Sequence, residues 1–154
     1  MKKNYLEMQE ELIKKYKIVI VENSTCWGRT HAHCDGTRRI CKWKKEDSII
    51  STFTLLHEIG HIMTTTSKMR RCESEYYATI WALERCKEYE IKINKRTINV
   101  YQRYIDMELE RGLRKNGSMY REDYDIENYN PNEIIELKIK EPKPVKEKRK
   151  TFIL

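Results

Sequence analysis

The sequence predicts a single α+β domain, and three observations carry that expectation. Apolar residues recur at helical spacing in several separated segments. A short β-branched run and an Asp-Gly turn signal lie between the first two of these. Only five Gly and three Pro occur in 154 residues, too few for an all-β, turn-rich architecture. A chain of this length forms one core. With 39% hydrophobic and 36% charged residues, that core is modest and its helices are strongly charged outside.

Asn4, with Glu7 three residues on, reads as a capping box. Tyr5, Met8, Leu12 and Tyr16 follow at helical spacing with Ile13 alongside, so a helix is expected over about 4–16. The run KIVIVE at 17–22 reads as a strand. Asp35-Gly36 is a two-residue hairpin signal, expected to join strands near 27–34 and 37–44. The segment 48–63, SIISTFTLLHEIGHIM, is apolar on nearly every face, with Asp47 or Ser48 as its N-cap. A helix of that kind is buried. After a break at 64–71, a helix is expected from Cys72 to Glu90. Another is capped by Thr97 and carries the stripe Ile98, Tyr101, Ile105, Leu109 and Leu113, ending near Asn116-Gly117. The stretch NEIIELKIK reads equally as strand or helix, and little order is expected from Glu141 on. Residues 1–118 are thus expected as one domain, and 119–154 as an extension ending in a basic tail.

The net charge is +7, part of it in the run KPVKEKRK at 143–150, which suits an acidic partner or a solvated tail. Five cysteines, an odd number, stand behind an N-terminus without a signal peptide, so a reducing cytoplasmic compartment is expected. No apolar run reaches the ~18 residues that would span a bilayer.

The chemistry concentrates in LLHEIGH. His57 and His61 stand four apart, one above the other on a helix face, where two imidazoles can grip one ion. Glu58 beside them is placed to act on a metal-activated water as general base. This is the H-E-x-x-H pattern of zinc-dependent hydrolysis. Burying these polar groups without partners would cost several kcal/mol. A third ligand is needed. The metzincin extension would require glycine at position 64 and histidine at position 67, and Thr64 and Ser67 stand there. The next helix offers Glu73 and Glu75, two apart and therefore facing different sides. Glu73 shares a face with Tyr77 and Ile80 and is the favoured ligand. Glu75 aligns with Thr79, neighbours Ala78 and Ala82, and is the reserve; Cys72 is a thiolate alternative. Tyr76, Tyr77, His31 and His33 are candidates for oxyanion or substrate contacts.

LLHEIGHIM, followed by ESEYYA opening a helix, resembles the ImmA/IrrE family of zinc metallopeptidases over roughly residues 5–90. The resemblance implies a zincin-like fold. It implies a gluzincin-like site of Zn2+ on His57, His61 and Glu73, with Glu58 catalytic. Family members act on helix-turn-helix transcriptional repressors and many are encoded by prophages and mobile elements, so a DNA-binding repressor is the implied protein substrate. Ser74 stands where that pattern more usually has alanine. A SprT-type protease would typically bring a third histidine, and none follows His61.

Two further clusters carry alternatives. Cys26, His31, His33, Cys34 and Cys41 are weighed as a second zinc site, as cleft-lining hairpin residues and as plain surface. Arg38, Arg39, Lys42, Lys44 and Lys45, with Trp43 among them, could bind phosphates and stack bases. The competing function is therefore a catalytically inactive binding protein that engages a regulator or nucleic acid through this hairpin and the tail.

Overall fold

The structure, a computed structural model, describes residues 4–22, 33–35, 39–116 and 121–129. Four helices and a three-stranded sheet follow in the order α1 (Tyr5–Tyr16), β1 (Val19–Glu22), β2 (His33–Asp35), β3 (Ile40–Trp43), α2 (Ile49–Thr64), α3 (Arg71–Glu88) and α4 (Lys95–Asn116). A 3-10 turn, Arg121–Tyr124, comes after α4. The α+β class expected from the sequence is present.

Local chemistry sets the helix ends. Asn4 Oδ1 accepts from the Glu7 amide, while its side-chain amide donates to the Glu7 carboxylate. Ser48 rather than Asp47 caps α2, accepting from the Ser51 amide. Asp47 instead accepts from the Tyr5 amide and so ties the start of α1 to the start of α2. At α4 the expected cap is displaced. Asn94, not Thr97, supplies the oxygen, accepting from both the amide and the hydroxyl of Thr97.

The sheet order is β1-β3-β2, with β1 parallel and β2 antiparallel to β3. The pairing of β2 with β3 is the expected hairpin, but its connection is longer than a two-residue turn. Asp35 is itself a strand residue paired with Ile40, so the link runs over 36–39, and Gly36 lies outside the described residues. Arg39 ends it in the left-handed region, at φ 55°, and its guanidinium donates to the Tyr16 carbonyl at 2.6 Å.

The core lies around α2. Leu12 of α1, Phe53, Leu55, Leu56 and Ile59 of α2, Ile80 and Trp81 of α3 and Ile105 of α4 are all buried together. Each such side chain contributes on the order of 1.5–3 kcal/mol relative to leaving it exposed. Of the stripe expected on α4, Ile98, Tyr101 and Ile105 join this core, and Leu109 packs beside Cys72. Within the expected extension, Ile126 is fully buried and its amide donates to Gln102, so residues 121–129 pack on the body. The NEIIELKIK segment and the basic tail lie outside the described residues. No helix among the described residues is long and apolar enough to cross a membrane.

The basic hairpin is weighed, from sequence, as a phosphate- and base-binding face against a plain solvated face. Trp43 is buried, and its indole N–H donates to the Ser51 carbonyl at 2.9 Å, so its ring is part of the core and offers no surface for bases. Lys44 pairs with Glu46 and Lys45 with Glu10.

Candidate metal centre

Several buried polar groups on α2 find partners close at hand. Ser51 donates to the Lys44 carbonyl, Thr52 to Ser48 and Thr64 to Gly60. Thr52 also accepts from the Gln9 side chain. The two histidines instead turn toward α3.

His57 and His61 stand one turn apart on α2, and α3 crosses that face. Their Nε2 atoms are 3.1 Å apart. Glu75 Oε2 lies 3.2 Å from the first and 3.3 Å from the second. Three potential ligand atoms therefore form a nearly equilateral triangle. Ligands about 2.0–2.1 Å from one zinc ion, spread tetrahedrally, stand about 3.3–3.4 Å from each other. The triangle has that size without any rearrangement. His57, His61 and Glu75 are the only such group among the described residues, and they could hold a metal ion.

Burial is graded across the triangle. His57 is 4% exposed, whereas the side chains of His61 and Glu75 keep 14% and 20% of their surface. One edge of the site thus faces solvent, where a fourth ligand position would be open. Burial lowers the pKa of His57 and favours the neutral, ligating imidazole. Burial alone would raise that of Glu75. Its contacts with His57 and His61 outweigh this and hold the carboxyl well below the usual range, so it is ionised.

The expectation of Glu73 in the triad is corrected. Glu73 is in the first turn of α3, where free backbone N–H groups compete for a carboxylate. Its Oε2 accepts from the Arg70 amide at 2.8 Å, and its Oε1 accepts from the Tyr124 hydroxyl at 3.3 Å. It fastens the helix start and the 3-10 turn. Cys72 is buried behind it against Leu109.

Glu58 is buried at 6% exposure. One residue past His57, it is turned about 100° around the helix. Its charge acts on the Cys41 thiol, which burial first and Glu58 second push up to about 12, and on the Tyr101 phenol, which burial chiefly raises. The carboxylate therefore lies on the side of α2 nearest β3 and α4.

Of the four expected contact residues, Tyr76 and Tyr77 meet edge-on, and Tyr76 also meets Tyr124, within the packing that holds Glu73. His33 is on β2, opposite Lys42, and His31 lies outside the described residues. The aromatic ring against His57 is Tyr101, read from sequence as core packing alone, with 4.8 Å between ring centroids. Its hydroxyl lies 3.2 Å from Thr54 Oγ1. Sequence reasoning also missed Thr79, 3.2 Å from His57 Nδ1, and Ser74, 3.0 Å from His61 Nδ1. Of the second zinc site weighed on the hairpin, Cys26 and His31 lie outside the described residues, and Cys41 is fully buried.

The triad, two imidazoles and one carboxylate on consecutive helices, defines a candidate mononuclear metal site. No family model, curated protein or solved structure gives a significant match to this chain.

Proposed function

We propose that the protein is a zinc-dependent peptidase with His57, His61 and Glu75 as ligands and Glu58 as general base. The observation that carries this is the 3.1–3.3 Å triangle of His57 Nε2, His61 Nε2 and Glu75 Oε2. A divalent cation would bind all three atoms at once from the centre of that triangle. Two imidazoles and one carboxylate are the donor set of a catalytic zinc with one open position.

A bound zinc ion would supply Lewis acidity at a peptide carbonyl and at an attacking water. The rest of the chemistry belongs to the chain. Glu58 accepts the water's proton and returns it to the leaving amine. The buried face of His57, walled by Tyr101, keeps bulk water from that side. The His61–Glu75 edge is the side of the triangle that keeps solvent exposure, and a substrate would approach there. The resemblance to ImmA/IrrE peptidases makes a helix-turn-helix regulator the first substrate class to try.

The test is metal analysis combined with proteolysis. Purified protein should carry one zinc per chain, lost in His57→Ala and Glu75→Ala. Glu58→Gln should keep the zinc and abolish cleavage. Wild-type protein that stays zinc-free in excess metal would refute the reading.

A further inference from the structure

The hydrogen-bond bookkeeping around the two imidazoles goes further than the ligand set. Thr79 Oγ1 lies 2.7 Å from the Glu75 backbone carbonyl, which can only accept. The single hydroxyl proton of Thr79 is therefore spent there. The same oxygen is 3.2 Å from His57 Nδ1, so this nitrogen must be the donor. A neutral His57 then carries its proton on Nδ1 and presents a bare lone pair at Nε2. On the other ring, His61 Nδ1 is 3.0 Å from Ser74 Oγ and 3.4 Å from Thr65 Oγ1. Those two hydroxyls are 2.6 Å from each other. Ser74 Oγ therefore links the His61 ring to Thr65, and the protons along that chain can run in either direction.

We propose that Thr79 and Ser74 are positioning residues: the Thr79 hydroxyl oxygen holds the proton of His57 on Nδ1 and so leaves Nε2 for a cation, and the Ser74 hydroxyl fixes the orientation of the His61 ring through Nδ1. The inference rests on the metal-site reading above. It assigns a role to Ser74, the departure from the resembled pattern. It also explains why α3 carries hydroxyls on both sides of Glu75. Ser74, Glu75 and Thr79 form one short segment, so the helix that delivers the carboxylate also orients both imidazoles. Partners of this kind typically change metal affinity 10–100-fold when removed.

The experiment has two arms. Long-range proton–nitrogen correlation spectra of the metal-free protein report the tautomer of each of its four histidines. His57 Nδ1 should carry a proton in the wild type and lose that preference in Thr79→Val. Cobalt(II) titration should show affinity reduced 10–100-fold in Thr79→Val and Ser74→Ala, and restored in Thr79→Ser, with far-ultraviolet dichroism unchanged. A bare Nδ1 on His57 in the wild type would overturn the proposal. So would wild-type cobalt affinity in a folded Thr79→Val variant. Failure of the wild type itself to bind cobalt would remove the metal reading and this proposal together, and that result is distinct from the other two.

Discussion

Gly60 of α2 lies directly on the backbone of Ala78 in α3. A β-carbon at position 60 would stand 2.5 Å from the Ala78 carbonyl oxygen and 3.0 Å from its α-carbon. Any side chain there forces the two helices apart and draws Glu75 away from His57 and His61. Gly60→Ala should therefore destabilise the fold, since overpacking costs about 1–3 kcal/mol. That exceeds the roughly 1 kcal/mol that alanine gains over glycine in a helix interior. It should also weaken metal binding. Denaturant unfolding and cobalt titration measure the two effects, and a variant with both unchanged would contradict the close approach.

Glu73 and Glu75 of α3 should separate cleanly. Glu75→Gln removes the charge between the imidazoles and should reduce zinc stoichiometry toward zero. Glu73→Ala removes the bonds to the Arg70 amide and the Tyr124 hydroxyl. It should cost about 1 kcal/mol of stability, as lost helix caps do, and leave zinc content unchanged. Elemental analysis alongside thermal melts decides between them. Loss of zinc in Glu73→Ala and retention in Glu75→Gln would reverse the assignment.

Acid should destabilise the metal-free protein in two stages. The folded-state pKa of His57 is lowered by burial, so the unfolded chain takes up the proton first as pH falls below 6.5. Stability is full above that value and declines beneath it, with a limiting slope of about 1.4 kcal/mol per pH unit for the one group. Glu75 is depressed below its ordinary 4.5 by contact with His57 and His61. Its contribution is present above 4.5 and is lost as pH falls through its folded value. Melting temperatures should hold level from pH 8 to about pH 6.5 and fall from there to pH 4, and the slope near pH 6 should flatten in His57→Asn. A flat wild-type profile across pH 6.5 would sink this.

Cys41, Cys72 and Cys86 are buried thiols. Burial pushes the thiols of Cys41 and Cys86 up to about 12, so at neutral pH neither forms the reactive thiolate. Iodoacetamide should leave all three unlabelled in the native protein and label them in denaturant, with peptide mass mapping as the readout. Native labelling of Cys41 at a rate near that of a free thiol would show that β3 does not pack as described.

Much of the architecture was legible because it rests on local rules. Asn4 and Ser48 announced their helices, and the apolar run at 48–63 announced burial. The pair His57 and His61 was readable because a four-residue step fixes two side chains on one face. The structure brings Glu75 rather than Glu73 to the imidazoles, because apolar spacing from Tyr77 and Ile80 does not aim Glu73 at them. The first turn of a helix makes a competing demand on a carboxylate, and there that demand wins. The missed signal was size. Ala78 and Ala82 flank Glu75, and only small residues let α3 approach Gly60 closely enough for a carboxylate to reach the imidazoles. Register was beyond local rules as well. The parallel pairing of β1 with β3, and of Asp35 with Ile40, depends on contacts made across the fold.

Glu75 follows His57 by only one turn-connected helix pair, so the whole triad is local along the chain. Elements whose contacts are near in sequence close quickly, because little loop entropy must be lost first. The α2–α3 hairpin can therefore grip a cation before the sheet and the outer helices have docked. Zinc added to the refolding chain would then speed folding itself, and would not act only as a brake on unfolding.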